Sequence, residues 1–94
     1  MRLTRRIRVH GLVQGVWFRD WTVENARRLG VEGWVRNCGD GTVEVLAGGG
    51  EGAVEALTGL LRKGPPRARV DRLEIVPVDE PAGPGFSRAP TARA

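Results

Sequence analysis

The sequence predicts an α+β fold in which two helices pack on one face of an antiparallel sheet. Three observations point to it. Short segments of alternating apolar residues indicate strands, two segments with apolar residues three or four positions apart indicate helices, and the segments follow one another in the order β-α-β-β-α-β. With 94 residues, the chain is long enough for one core and too short for two. This order is that of a split β-α-β sandwich.

The first two elements are a strand and a helix. Residues 4–10 alternate, with Ile7 and Val9 on one face and basic side chains on the other, which is typical of a half-exposed strand. From Phe18 to Leu29 the apolar residues recur at helical spacing, and Gly30 is suited to end the helix. We therefore expect a strand followed by an amphipathic helix.

The next two elements form a predicted β-hairpin. Residues 31–37 and 42–47 are short runs of strand-forming residues, and the Asp40-Gly41 pair between them is a strong signal for a tight turn. Residues 48–52, which read GGGEG, are expected to form a loop.

A second helix and a last strand complete the order. Val54, Leu57 and Leu61 form a helical stripe that ends at Gly64. Residues 68–78 alternate as a strand, and we expect an edge strand because its proline cannot donate a hydrogen bond to a neighbour. The complete set of elements predicts a ferredoxin-like sandwich.

The chain divides into a predicted domain and a tail. Residues 1–79 contain all six predicted elements. Residues 80–94 are rich in proline and glycine, and Phe86 is their only large apolar residue. We expect this C-terminal tail to be weakly ordered, with one short strand near Phe86.

Composition limits the chemistry and the partners. The formal net charge is +4, and the cations are almost all arginines, whose planar fork suits phosphate and carboxylate groups. A single cysteine and a single histidine exclude an intramolecular disulfide and a multi-cysteine metal site, so we expect no metal and no cofactor. No apolar run approaches the ~20 residues that cross a bilayer, and no secretory signal is evident. We expect a cytoplasmic monomer that does not bind membranes.

The stretch GLVQGVWFR, residues 11–19, is the first candidate for a binding site. It leads directly into the first helix, where unpaired backbone N–H groups and the helix dipole favour an anion. Gly11 and Gly15 allow the backbone to approach a ligand closely, and Arg19 offers a bidentate guanidinium. These features predict a backbone cradle for a phosphoryl group. Its predicted phosphate-binding residues are Gln14, Gly15, Val16, Trp17, Phe18 and Arg19.

Asn37 is the second candidate, at the end of the second strand. The first and second strands of the predicted fold are parallel with the third between them, so Asn37 lies at the same sheet edge as the cradle, two strand spacings or about 9.6 Å away. A carboxamide can orient a water molecule for attack on phosphorus but cannot transfer a proton usefully. A carboxylate leaving group, with a pKa near ~4, needs no general acid. Arg19 and Asn37 thus favour hydrolysis of acyl phosphates over that of phosphate esters.

Two segments carry a family resemblance. GLVQGVWFR at 11–19 and GWVRNCGDGTVEVLAGG at 33–49 resemble the signature segments of the acylphosphatases, which are small, metal-free hydrolases of carboxyl-phosphate anhydrides. The resemblance implies the ferredoxin-like fold, a small-molecule acyl phosphate as substrate, and inorganic phosphate or sulfate as an anion of the site. It also implies that Arg19 is the catalytic, phosphate-binding arginine and that Asn37 orients the water. Cys38 departs from the pattern, because threonine or an apolar residue is common there in the family.

Two alternatives belong to other functional classes. Ferredoxin-like sheets can bind RNA on their open face, but this chain has no tyrosine and both phenylalanines lie outside the central strands, so no nucleic acid is expected. The fold and the anion site could also serve a non-catalytic domain of a larger enzyme. His10 is interpreted as a solvent-facing strand residue, and Cys38 as a turn thiol at the mouth of the site.

Overall fold

The structure, a computed structural model, describes residues 1–93 and contains five strands and two helices in that range. In chain order they are β1 (Arg2–Leu12), α1 (Phe18–Leu29), β2 (Glu32–Asn37), β3 (Val43–Gly50), α2 (Glu51–Lys63), β4 (Arg69–Val78) and β5 (Phe86–Arg88). The first six follow the predicted order β-α-β-β-α-β, and the short strand predicted near Phe86 is present as β5.

The strands form one sheet in the order β4-β1-β3-β2-β5. β3 is antiparallel to both β1 and β2, so β1 and β2 run in the same direction with β3 between them, as expected. β4 pairs with β1 and lies at one edge. β5 lies at the other edge and is parallel to β2, because the chain reverses its direction after β4. The sheet is therefore mixed, and the expectation of a purely antiparallel sheet holds only for the first four strands.

The core lies between the sheet and the two helices. The apolar residues predicted on one face of the first strand, Ile7 and Val9, are fully buried, as are Leu57 and Leu61 from the stripe of α2. Phe18, the first residue of α1, belongs to the same core and is only 2% exposed. The start of α1 is thus anchored in the core, which fixes the direction of the preceding loop.

The prediction of a loop at residues 48–52 is wrong. β3 continues through Gly50, and α2 begins at the next residue, Glu51. The glycines keep the strand conformation because they pair with the first residues of β1. A Cβ on Gly48 would lie 2.5 Å from the Cβ of Ala82, so glycine at this position allows the chain to cross close to the sheet.

Gly11 serves strand pairing. It lies in β1 at an irregularity that follows His10, with φ at 135°. A Cβ on Gly11 would lie 2.0 Å from the carbonyl oxygen of Arg69 in β4. Its prediction as part of a phosphate cradle is therefore corrected: a glycine is needed here because the backbone of β4 is too close for any side chain.

The C-terminal residues are hydrogen-bonded more extensively than their composition predicts. Phe86 is buried at the edge of the core, with 3% of its surface exposed. Beyond β5, the Ala89 N–H donates to the Val35 carbonyl at 2.8 Å, and the Ala92 N–H donates to the Asn37 carbonyl at 2.9 Å. The segment therefore fixes the end of β2. The division of the chain into 1–79 and 80–94 stays a prediction.

Candidate active site

A small pocket of about 70 Å³ lies where the loop after β1 meets the end of β2. It is lined by Val13, Gly15, Trp17, Phe18, Arg19, Asp20, Asn37 and Arg88. The structure therefore brings together five of the predicted site residues from two separate segments. The other two, Gln14 and Val16, do not line this pocket.

The N-terminus of α1 opens into this pocket with its backbone N–H groups unpaired. Trp17 is the residue that precedes the helix, and its side chain makes no capping hydrogen bond. Trp21 is the first residue of the helix whose N–H has a backbone partner, the Trp17 carbonyl at 3.1 Å. Among residues 1–93, no protein acceptor is found for the N–H groups of residues 15–20. Such a group of free N–H donors at a helix N-terminus is suited to bind an anion.

The backbone of the loop is sharply curved at two residues. Gly15 has φ 74° and Trp17 has φ 67°, both in the left-handed region. Trp17 is the sole residue other than glycine with a positive φ in residues 1–93. A side chain in this conformation costs of order 1–2 kcal/mol, and such strain is concentrated at functional sites. Left-handed residues between right-handed ones turn successive N–H groups toward one side of the loop.

Gln14 connects the loop to the hairpin between β2 and β3. Its side-chain nitrogen donates to the carbonyl oxygens of Cys38 and Thr42, each at 2.9 Å. The Gln14 side chain is therefore used within the protein and does not face the pocket. We interpret it as a positioning residue, because Cys38 directly follows Asn37 in the chain.

Arg19 and Asn37 line the pocket, and each has a polar group without a hydrogen-bond partner in residues 1–93. The Arg19 side chain is half-buried and makes no hydrogen bond or ion pair with residues 1–93. The Asn37 Oδ1 atom is buried and has no hydrogen-bond partner in the described residues. An unpaired buried carbonyl costs about 1–3 kcal/mol, so it requires an explanation such as a bound water or ligand.

Arg88 is a pocket residue that the sequence analysis missed. It is in β5, and its Nη1 donates to the Asp20 carboxylate at 2.9 Å. Both side chains are about half exposed, 46% and 48%. The strand predicted at Phe86 contained only part of the signal: alternation places Arg88 on the same face as Phe86 but does not show which strand lies beside it. The Arg88 charge offsets the Asp20 carboxylate, which would otherwise repel an anion.

The structure bears on two other sequence-based interpretations, those of Cys38 and His10. Cys38 is buried, with 2% of its surface exposed, so its placement at the mouth of the site is wrong. The Gly39 N–H donates to Ala92, and this C-terminal segment covers the turn. His10 lies on the sheet face away from the helices and pairs with Glu74 of β4, which leaves 20% of its side chain exposed. His10 does not line the pocket.

Residues 1–93 contain neither a cluster of metal-ligand side chains nor a helix that could span a membrane. In the part of the chain that the structure describes, no three side chains of histidine, cysteine, aspartate or glutamate are grouped as a metal ion would need. None of the helices in residues 1–93 combines the length and the apolar character of a membrane span. A larger cavity of about 610 Å³ lies at the opposite end of the strands, beside Arg2 and Glu32.

A family model described as Acylphosphatase matches residues 5–87, which is most of the chain. The chain belongs to the acylphosphatase family. An acylphosphatase of Rhodospirillum rubrum is 57% identical over 88 residues, covering 94% of this chain and 97% of that protein. One of Acidovorax sp. is 52% identical over 89 residues, covering 95% and 92%. The structure of an acylphosphatase from Coxiella burnetii aligns with a TM-score of 0.89 at 32% identity, covering 94% of this chain and 93% of that one.

These similarities decide three of the sequence predictions. The resemblance to the acylphosphatases is confirmed, and so is the ferredoxin-like fold. The prediction of an enzyme of the acylphosphatase class is also confirmed.

Proposed function

We propose that this acylphosphatase family member hydrolyses the carboxyl-phosphate bond of acyl phosphates in the pocket between α1 and β2. The phosphoryl group is bound by the loop N–H groups and Arg19, and the attacking water is positioned by Asn37. One observation carries the proposal: Arg19 and Asn37, each with a polar group that has no partner in residues 1–93, line one pocket at a helix N-terminus. Membership of the family supports the reaction itself.

The phosphoryl group supplies the acceptors that the pocket lacks. Its oxygens accept hydrogen bonds from the free N–H groups of residues 15–20, and Arg19 offers two parallel N–H donors. Hydrogen bonds to charged groups contribute about 1.5–3 kcal/mol each, and the helix dipole adds about 0.3–1 kcal/mol. Both contributions favour a dianion over a neutral ligand.

The Asn37 Oδ1 supplies an acceptor for the nucleophile. A water that donates a proton to this oxygen keeps a lone pair directed at phosphorus. The water oxygen bonds to phosphorus while the bond from phosphorus to the acyl oxygen breaks, and the electron pair of that bond leaves with the carboxylate. The proton released from the water passes to the solvent. No general acid is needed, because the leaving group is stable as an anion.

The nucleic-acid alternative is disfavoured by charge pairing on the open sheet face. Arg6, Arg8 and Arg36 all form ion pairs with the buried Glu44. The Arg36 guanidinium also lies over the Trp34 ring, 4.5 Å from the ring centre. It therefore occupies the indole face on which a base would stack. The absence of a nucleic-acid partner, the cytoplasmic location and the monomeric state stay predictions.

Phosphate release from acetyl phosphate and benzoyl phosphate by the purified protein, with and without EDTA, tests the function. We expect turnover of both that EDTA does not change, very slow turnover of p-nitrophenyl phosphate and none of alkyl phosphates, because ester hydrolysis needs a proton donor. Binding of phosphate without turnover would identify the non-catalytic alternative. Equal rates on an alkyl ester and an acyl phosphate would show that the site contains a general acid, which contradicts the proposed mechanism.

A further inference from the structure

An apolar groove of about 390 Å³ lies beside the candidate active site. It is lined by Gly15, Val16, Trp17, Pro65, Pro66 and Arg67, and thus lies between the cradle loop and the segment that joins α2 to β4. Gly15 and Trp17 line both this groove and the 70 Å³ pocket. The two spaces are therefore adjacent and share a wall.

Trp17 is the main apolar surface of this groove. It is 54% exposed, although tryptophan is a side chain that proteins mostly bury. Its backbone is in the left-handed region, where glycine would be unstrained. Among residues 1–93 its ring makes no hydrogen bond and no ring contact, whereas Trp21 packs on Phe18 with ring centres 5.5 Å apart. The exposed indole thus makes neither a hydrogen bond nor an aromatic contact in the described residues, and its face is open to a ligand.

The groove on the other side of Trp17 is mainly charged. A second groove of about 390 Å³ is lined by Trp17, Asp20, Val23, Glu24, Arg27 and Arg88. Four of these six residues are charged, and Asp20 is paired with Arg88. An apolar group placed there would remove water from charged side chains at a cost in free energy. The groove beside Pro65 and Pro66 carries one charged residue, the exposed Arg67, and is the favourable place for an apolar group.

We propose that the groove between Trp17 and Pro66 binds the acyl group of the substrate and selects acyl phosphates whose acyl group is aryl or bulky alkyl over acetyl phosphate. The inference rests on the proposed function, because it places the phosphoryl group in the adjacent pocket. That pocket is lined largely by charged and polar side chains, those of Arg19, Asp20, Asn37 and Arg88, which do not favour an apolar acyl group. The acyl group must therefore leave the pocket along one of its walls, and Trp17 provides the apolar one.

Binding of stable phosphonate analogues separates the groove from the chemistry. Phenacylphosphonate and acetonylphosphonate replace the bridging oxygen of benzoyl and acetyl phosphate with a methylene, and they differ only in phenyl against methyl. We expect wild type to bind the phenyl compound about tenfold more tightly by calorimetry, since discrimination of this size follows from burying a few apolar carbons. Trp17→Gly, which tolerates the left-handed backbone, should bring the two affinities within about twofold.

A matched pair of proline variants tests the opposite wall. Pro66→Ser should reduce the preference for the phenyl compound about threefold and leave the affinity for acetonylphosphonate unchanged. Pro90→Ser makes the same exchange at an exposed residue outside the groove and should change neither affinity. Trp17 and Pro66 are at the surface of the fold, so we expect both variants to fold. Thermal melts check this.

The outcomes distinguish the groove from the proposed function. Equal affinity of wild type for the two phosphonates, or a preference that survives both Trp17→Gly and Pro66→Ser, would overturn the acyl groove while the phosphoryl pocket stands. If neither compound binds, or if both bind equally well to Arg19→Ala, the phosphoryl pocket itself is wrong and the groove is rejected with it.

Discussion

The side-chain nitrogen of Gln14 lies 2.9 Å from the carbonyl oxygen of Cys38, the residue that follows Asn37. This hydrogen bond joins the loop proposed to bind phosphate to the hairpin that carries the proposed water-positioning residue. The same nitrogen donates to Thr42 across the turn, also at 2.9 Å. One amide group therefore links the two halves of the site, in addition to the sheet that carries them.

Substitution of Gln14 should loosen the site. Gln14→Leu removes both donors, which we expect to lower stability by about 1–3 kcal/mol and kcat/KM by about tenfold. Gln14→Glu should be worse, because a carboxylate faces two carbonyl oxygens and has no proton to donate. Urea titrations and steady-state kinetics measure the two effects. An unchanged kcat/KM in a variant that loses stability would show that the tether is only structural.

Arg19 should control the affinity for phosphate. Arg19→Ala should weaken binding of inorganic phosphate by about a hundredfold and reduce turnover to near the uncatalysed rate. Arg19→Lys should not restore activity, since an ammonium cannot present two parallel donors. Arg72→Ala, at an exposed arginine of β4 outside the pocket, serves as the matched control and should behave as wild type. Calorimetry with phosphate checks this; equal affinity in wild type and Arg19→Ala would contradict the role.

Asn37 should show a conflict between stability and activity. Its buried Oδ1 has no hydrogen-bond partner among residues 1–93, so Asn37→Ala removes an unsatisfied acceptor. We expect the free energy of unfolding to stay the same or rise by about 1 kcal/mol, while kcat falls about a hundredfold or more and phosphate affinity changes little. A large loss of stability with normal kcat would mean that Asn37 supports the fold and does not position the water.

The fold could be predicted because local patterns and tertiary packing agree in most of the chain. Ile7 and Val9 alternate with polar residues and are buried as their period requires. At residues 48–50 the two disagree, because three glycines signal a loop but pair with β1 as a strand. Local propensity has no information on such a partner distant in sequence.

The candidate site likewise contains residues that the sequence could predict and residues that it could not. The residues that one loop or one strand end supplies, such as Arg19 and Asn37, could be inferred from spacing and topology. Arg88 could not, since its position depends on β5 crossing to the far edge of the sheet. The tether by Gln14 and the burial of Cys38 also depend on contacts between distant segments, and no periodicity in the sequence predicts them.

Arg88 and Asp20 should act on phosphate as a coupled pair. Arg88→Ala leaves the Asp20 carboxylate uncompensated in the pocket, and we expect phosphate affinity to fall about tenfold. Asp20→Asn in that background removes the repelling charge and should recover most of the loss. The double-mutant cycle, measured by phosphate binding at low and high salt, gives the coupling. Additive effects of the two substitutions would show that the ion pair is independent of the site.

Acid should weaken the hairpin through Asp40. The Thr42 hydroxyl, its backbone N–H and the charge of Arg8 hold the pKa of the Asp40 carboxyl below its usual value of 3.8. Since the folded pKa is the lower one, the carboxylate contributes stability that is complete above the usual value and is lost as the pH falls through the folded value. Asp40→Asn should therefore be less stable than wild type near neutral pH, and this difference should shrink as the pH is lowered from about 5 to about 2. Thermal melts across that range measure the difference in stability.

Asp79→Asn serves as the control, because Asp79 is exposed and makes no ion pair within residues 1–93. The Thr42 carbonyl accepts a hydrogen bond from Gln14, which belongs to the proposed phosphate loop. Loss of the turn in Asp40→Asn should therefore lower phosphate affinity together with stability. Stability curves of wild type and Asp40→Asn that stay parallel down to about pH 2 would show that the carboxylate does not stabilise the turn.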